Sequence, residues 1–347
     1  MLKKYHPVLE ILKSRYKYDS ENYNDGNRLC IAVEGGGMRG VVSAGMLMGL
    51  ESLGLKKCFD SIIGASAGAL NSAYFVSGQS SYGITSYYQK EGVGSDKFID
   101  NVFRSAYRVI ANKPVINLDY LYESVVEKNR KLNFNKLKSS KIELNITVAS
   151  LRKREVVVLN KFSSKNDVIK ALRATTGIPI ISNSPVEIDN ELYWDPFIYE
   201  PIPVFSAIKQ GFTHILVLRT RTANDIPTKF TLTEKYLMYP RILKKYGKGL
   251  ADDYMNSIDK YKTIIEFLEN KQKEHSVPPY IYTINAPNGI VLPNQLERSP
   301  KILIDGAKAG VSAVFETMLG KKPKFTEILY PTISSYHPEH ILESMLE

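Results

Sequence analysis

Two short glycine-rich segments hold the residue types that could do chemistry. Gly64-Ala65-Ser66-Ala67-Gly68 fits the pattern G-x-S-x-G, which sets a serine on a sharp strand-to-helix turn. The neighbours must be small because the chain doubles back on itself there. The helix that starts near Ala67 aims its free N–H groups and positive dipole end at the serine oxygen, where negative charge grows during nucleophilic attack. About thirty residues earlier, Gly35-Gly36-Gly37-Met38-Arg39-Gly40 also joins a strand to a helix. Consecutive glycines leave backbone N–H groups uncovered, a setting that suits an anion. The segment lacks the Lys-Ser/Thr of a P-loop and the G-x-G-x-x-G spacing of a dinucleotide site. As an oxyanion hole it complements Ser66, since both turns follow parallel strands adjacent in sequence and open at the same sheet edge.

A serine nucleophile needs a base. The chain has five histidines: His6 precedes the fold, His214 opens an apolar strand, His275 lies in a polar run, and His337 and His340 lie near the C-terminus. None has the context of a catalytic base, which turns attention to a carboxylate. Asp195 follows the only tryptophan, Trp194, in an apolar setting able to raise a carboxyl pKa to a useful value. A plain turn carboxylate before Pro196 is the competing reading.

These residues must be positioned by elements that alternate strand and helix. Leu29–Val33 is a continuous apolar run bounded by turn residues, the pattern of a buried parallel strand. A helical stretch from Val41 to Gly54 follows, then a strand over Phe59–Ile63 and a helix over Ala69–Val76. Strand–turn–helix twice in succession predicts an α/β fold with a mainly parallel sheet. Further strands are predicted at Ile142–Val148, Glu155–Leu159, His214–Leu218 and Tyr280–Ile284, and a helix over Asp167–Thr175. The predicted organisation is an N-terminal extension over 1–27, a catalytic domain over 28–310 and a C-terminal tail over 311–347.

Together the motifs resemble the patatin-like phospholipase family, whose pattern is a [D/E]-G-G-G-x-R-G loop, a G-x-S-x-G elbow and a later D-G-[G/A] aspartate. Glu34–Gly40 and Gly64–Gly68 match the first two, and Arg173–Pro179 is similar to the family's small-residue turn that precedes the aspartate strand. Asp195–Pro203 resembles the D-G-G-x-x-x-P-x-P stretch, with Pro196 and Phe197 where the family has glycines. That departure bears on how Asp195 is oriented, because proline fixes φ and removes an N–H. Val277-Pro278-Pro279 and Leu303-Ile304-Asp305-Gly306 are similar to a bacterial branch. The resemblance implies a three-layer α/β/α fold and a Ser66–Asp195 dyad that hydrolyses phospholipid or lysophospholipid esters without metal or cofactor. It implies an oxyanion hole from Gly35, Gly36, Gly37 and Met38, with Gly64, Gly68 and Arg39 in support; for Arg39, an ion pair with Glu34 or a surface position is the plainer reading. Two alternatives stay open: a Ser-His-Asp α/β-hydrolase, and a phospholipid- or nucleotide-binding module without turnover.

The composition sets outer limits. The chain has 347 residues, 44% hydrophobic and 24% charged, which excludes a disordered or collagen-like chain. Cys30 and Cys58 are the only cysteines, too few for a disulfide framework, and read as buried thiols in a reducing compartment. There is no apolar run of membrane-span length and no signal-peptide core behind Met1-Leu2-Lys3-Lys4; the expectation is a cytoplasmic protein, or the cargo of a secretion route that leaves no such signal. Net charge is +10. Between Lys209 and Leu250 nine basic residues face two acidic ones, interleaved with Leu232, Tyr236, Leu237, Tyr239, Ile242, Leu243 and Tyr246. That composition predicts peripheral contact with an anionic membrane surface; for the apolar positions, a helix covering the sheet with a solvated basic face is the plainer reading. No RNP, helix-turn-helix or zinc pattern points to nucleic acid.

Overall fold

A computed structural model describes residues 6–17, 23–89, 115–178, 182, 185–227, 230 and 234–323. Its principal elements, in chain order, are α1 (Pro7–Lys17), β1 (Leu29–Val33), α2 (Val41–Ser52), β2 (Ser61–Ala65), α3 (Ala67–Val76), β3 (Glu143–Ser150), β4 (Glu155–Leu159), α4 (Lys165–Thr175), β5 (Val186–Ile188), β6 (Glu191–Trp194), α5 (Val204–Lys209), β7 (His214–Leu218), α6 (Tyr239–Tyr246), α7 (Lys248–Met255), α8 (Ser257–Lys271), β8 (Tyr280–Ile284) and α9 (Pro300–Leu319). Among the described residues no helix is long and apolar enough to cross a membrane.

Five strands run parallel in the order β3-β2-β1-β7-β8, and β4, β6 and β5 extend the β3 side antiparallel. β3 is longer than β2, so one edge of it pairs with β2 over Glu143–Thr147 and then with β6 at Ala149 and Ser150. That overhang brings the segment after β6 beside the carboxyl end of β2. β2 begins two residues later than its apolar run predicts. The Asp60 N–H donates to the Leu29 carbonyl, and its carboxylate accepts from the Leu29 N–H and from Arg15.

β1 is buried along its whole length, and its side chains alternate between two cores. Leu29, Ile31 and Val33 face the layer containing α2, α3, α4 and α9. Cys30 and Ala32 face α5 and α8. The α8 residues Tyr261, Ile264, Ile265 and Leu268 make the apolar stripe expected of a helix laid on a sheet. The three-layer α/β/α architecture follows. Both cysteines are buried free thiols, and burial pushes the Cys58 thiol up to about 11. A third cluster, formed by Trp194, Ile198 and the α6–α7 pair, covers the β6 turn.

Helices α2 and α9 cross backbone to backbone. A Cβ at Gly45 would stand 2.2 Å from the Ala307 carbonyl oxygen, and one at Gly310 would stand 2.0 Å from that of Val42. α9 is continuous from Pro300 to Leu319. The rest of the predicted tail, with His337 and His340, lies outside the described residues from 324 onward.

Candidate active site

Ser66 stands between the carboxyl end of β2 and the first turn of α3, at φ 54 and ψ −128. A residue with a Cβ rarely holds such a conformation, which costs roughly 1–3 kcal/mol where the surroundings enforce it. The enforcement is visible. The Ser66 N–H donates to Thr175 Oγ1 at 2.8 Å, the Thr175 hydroxyl donates to the Thr147 carbonyl at 2.7 Å, and the Thr147 hydroxyl donates to the Gly64 carbonyl at 3.0 Å. On the other side the Ser66 carbonyl accepts from Ala69. The small residues around the serine are required by contact. A Cβ on Gly35 would meet Ser66 Cβ at 2.8 Å, one on Gly68 would meet the Val33 carbonyl oxygen at 2.6 Å, and one on Gly64 would meet Ala69 Cα at 2.5 Å.

Asp195 follows Trp194 at the end of β6 and is 2% exposed. Its N–H donates to the Gly177 carbonyl at 2.9 Å. One carboxylate oxygen accepts the Phe197 N–H at 3.0 Å, and the Ser66 side chain lies beside the carboxyl group. Burial pushes its pKa up from 3.8 to about 7, against the lowering effect of those two neighbours. The structure thus sets Ser66 and Asp195, far apart in sequence, beside each other at one end of the sheet. The segment Thr175–Gly177 is the spacer between them: Thr175 holds the serine turn and Gly177 the aspartate turn. Tyr122 braces this spacer, donating to the Leu172 carbonyl at 2.7 Å beside Thr176 Oγ1 at 2.9 Å. Pro179 of the predicted turn lies outside the described residues.

Pro196 and Phe197 do not disturb the aspartate. Pro196 opens a single helical turn, Pro196–Ile198, that Asp195 caps. Proline suits a first helical position because its missing N–H has no partner to lose there. The Phe197 contribution is its backbone N–H, which any residue but proline supplies.

In the glycine loop Gly36 and Gly37 adopt φ 143 and φ 58, which presents successive peptides in a turn that a Cβ would strain. Among the described residues no acceptor takes the N–H of Gly36 or Gly37. Two predicted donors are otherwise engaged: the Met38 N–H donates to the Gln295 carbonyl at 3.0 Å and the Gly35 N–H to the Pro201 carbonyl at 3.5 Å. Arg39 is neither at the surface nor ion-paired with Glu34. It is buried, and its Nε donates to Thr220 Oγ1 at 3.2 Å. Thr220 in turn donates its hydroxyl to the Glu34 carboxylate at 2.8 Å, so the two charges meet through a hydroxyl. Glu34 also accepts from Tyr261 at 2.8 Å. Thr175, Thr220 and Tyr261 were not singled out by sequence reasoning as positioning residues. Only Thr175 left a signal there, within the small-residue turn.

The described histidines stand elsewhere. His214 is the first residue of β7, at the amino end of a parallel sheet whose carboxyl end carries Ser66. His6 and His275 pack on each other, ring centroids 4.7 Å apart.

A strained serine at a strand-to-helix turn, a buried carboxyl beside it and a glycine loop with free N–H groups meet at the carboxyl end of the parallel sheet. The family model described as "Patatin-like phospholipase" matches residues 31–208, half of the chain and both of the motif turns. The chain belongs to the patatin-like phospholipase family. It is 24% identical over 249 residues to the uncharacterized protein YjjU of Escherichia coli, across 70% of this chain and 65% of that protein's length. Among solved structures it is similar to VipD from Legionella pneumophila, with 12% identity, a TM-score of 0.41 and coverage of 86% of this chain and 68% of that one. It is also similar to the human GIVD cytosolic phospholipase A2, with 12% identity, a TM-score of 0.35 and coverage of 88% of this chain and 62% of that one.

Proposed function

We propose that the protein is a serine lipid acyl hydrolase of phospholipase A or lysophospholipase type, working through a Ser66–Asp195 dyad. The observation that carries the reading is the buried Asp195 carboxyl beside the Ser66 side chain, its pKa pushed up to about 7 by desolvation. Such a group is half ionised near neutrality, which suits a base that must accept a proton and return it. In the acylation step the Asp195 carboxylate takes the Ser66 hydroxyl proton while Oγ forms a bond to the acyl carbonyl carbon. The carbonyl electron pair moves onto oxygen, and the Gly36 and Gly37 N–H groups stabilise it together with the N-terminal end of α3. Collapse of the intermediate breaks the carbon–oxygen bond to the lysolipid or glycerol portion, which leaves with the proton from Asp195. Water then attacks the acyl-serine, giving its proton to Asp195, and the fatty acid departs as Ser66 is reprotonated.

The charge pattern supports a lipid surface as the place of action. Helix α6 packs against the base turn, with Tyr246 edge-on to Trp194 at 4.5 Å between ring centroids. Around it Lys235, Tyr236, Leu243, Lys244, Lys245 and Lys248 are exposed. Beside the glycine loop, the segment that supplies the Gln295 carbonyl exposes Ile290, Val291 and Leu296, Val291 at 74%. Basic and apolar groups thus flank the base turn, and apolar groups flank the glycine loop. Lys229 and Leu232 of the basic run lie outside the described residues.

The test is acyl release from phospholipid and lysophospholipid vesicles by the wild type, Ser66→Ala and Asp195→Asn, with anionic and zwitterionic vesicles at low and high salt. Both variants should lose at least about a thousand-fold in kcat, the scale on which such sites depend on their nucleophile and base. Wild-type binding should rise with anionic lipid and fall with salt. Full turnover by Ser66→Ala removes the serine from the mechanism, and loss of activity on replacing His275 or His214 returns the assignment to a histidine base.

A further inference from the structure

A second region of the molecule gathers polar groups around a cleft at the far edge of the sheet. Along the outer edge of β8, between α8 and the residue that precedes α1, lies a cleft of about 690 Å³. β8 is three strands from β2, roughly 14 Å at ordinary strand spacing. The cleft therefore stands apart from the Ser66 turn. Its apolar wall is Ile265, Leu268 and Tyr282, and its polar groups include His6, Arg219, Lys273 and Thr283. Glu269 is the one acid among the described residues that line it, and it is exposed.

Three of these groups are unusual. Arg219 is 2% exposed, and none of its partners is a carboxylate side chain: it donates to the Tyr261 hydroxyl, to the Ala223 and Asp225 carbonyls and to the Asn285 side chain. Its guanidinium is held rigidly by neutral acceptors, so its charge is available to the cleft. His6 is 2% exposed, and its Nδ1 accepts the Val8 N–H at 3.2 Å. That fixes the other nitrogen, Nε2, as an N–H donor. Desolvation, with His275 adding to it, holds the imidazole down at about 4, so the ring stays neutral and keeps this tautomer at physiological pH. The Ile281 carbonyl lies near the ring, but Nε2 has no partner in hydrogen-bonding geometry. Thr283, 8% exposed, likewise has an unpartnered hydroxyl, while its N–H donates to Gln272 Oε1 at 3.1 Å.

Buried donors left without acceptors are rare and costly, about 1–3 kcal/mol each. Two of them in one cleft, beside a rigid buried cation and an exposed lysine, form a set that an oxyanion would satisfy. We propose that this cleft is a binding site for an oxyanion, phosphate or carboxylate, carried on a small amphiphile whose apolar part lies along Ile265, Leu268 and Tyr282. The donors Nε2 of His6 and Oγ1 of Thr283 take the oxygens, and Arg219 and Lys273 supply the charge.

The experiment titrates the full chain with inorganic phosphate, octanoate and octyl phosphate by calorimetry, in the wild type, Thr283→Val and Lys273→Ala. Octyl phosphate should saturate a single site. Whichever of phosphate or octanoate also saturates identifies the head group. Thr283→Val should weaken binding about three- to ten-fold, the worth of one hydrogen bond. It should leave the melting temperature of the unliganded protein unchanged or higher, because the hydroxyl it removes has no partner to lose. Lys273→Ala, at an exposed position, should weaken binding and flatten its salt dependence. Absence of saturable binding by all three probes overturns the proposal, and so does saturable binding that neither substitution weakens.

Discussion

The turn that carries Ser66 and the turn that carries Asp195 both hold one oxygen-bearing side chain at the same spot, and they store its cost in different places. At Ser66 the cost is conformational: φ 54 in a residue with a Cβ, pinned by a hydrogen-bonded chain through Thr175, Thr147 and Gly64. At Asp195 the backbone is relaxed, φ −53 and ψ 129 at the cap of a single helical turn, and the cost is electrostatic. Burial strips water from the carboxyl and only two polar neighbours replace it. A nucleophile must be exposed to attack from one direction, which strain can fix. A base must have a tuned proton affinity, which desolvation can fix.

The largest effect that would break this contrast is in the pH dependence of stability. A carboxyl at 3.8 in the unfolded chain and about 7 in the folded one is protonated in both states below pH 4. Between 4 and 7 the unfolded chain loses the proton while the folded protein keeps it, so stability falls as pH rises and levels off above 7. The loss is on the order of 4 kcal/mol, at about 1.4 kcal/mol per pKa unit. Asp195→Asn has no proton to lose and can still accept from Phe197. Its stability relative to wild type, from urea unfolding, should be about equal at pH 4.5 and higher by several kcal/mol at pH 8. Glu200, also buried and raised to about 7, is common to both proteins and cancels. A difference that does not change with pH would mean that the carboxyl is not desolvated as described. In the wild type, kcat/KM should rise with pH through about 7, as the base ionises.

Next in size is the clamp on the serine turn. Thr175→Val keeps the shape of the side chain but leaves the Ser66 N–H and the Thr147 carbonyl, both buried, without partners. The expected cost is about 2–4 kcal/mol of stability, with a fall in kcat greater than any rise in KM. The aspartate turn has no such side-chain clamp. Its anchors are the backbone groups of Gly177 and Phe197, so Phe197→Gly should retain most of the activity. Equal sensitivity at the two positions would remove the distinction between the turns.

What was legible in the sequence follows the same division. Ser66 and the glycine loop are local: the residues that shape each turn are its own neighbours, and G-x-S-x-G and G-G-G carry that information. Five of the parallel strands were legible because β1, β2, β3, β7 and β8 are apolar runs between turn residues. The β5–β6 hairpin was missed, though Asp189-Asn190, both at positive φ, is a two-residue turn of the kind that joins antiparallel strands. The partners of the glycine loop were not legible. Met38 meets Gln295, and Glu34 meets Thr220 and Tyr261, across more than 180 residues of chain. No local pattern encodes which backbone donors such contacts consume, so the sequence alone does not separate Gly35 and Met38, whose N–H groups have acceptors, from Gly36 and Gly37 within the expected oxyanion set.

The smallest effect is also the most direct measure of strain at the elbow. Ser66→Ala and Ser66→Gly both remove the hydroxyl that lies beside Asp195, so that loss cancels between them. Alanine keeps the Cβ that makes φ 54 and ψ −128 unfavourable, and glycine does not. Against this, glycine costs about 0.5–1 kcal/mol through the greater freedom of the unfolded chain. With roughly 1–3 kcal/mol of strain released, the glycine variant should be about 1 kcal/mol more stable than the alanine variant, although glycine normally loses that comparison. A glycine variant less stable than alanine would place no strain at Ser66, and the two turns would then differ only in the charge they carry.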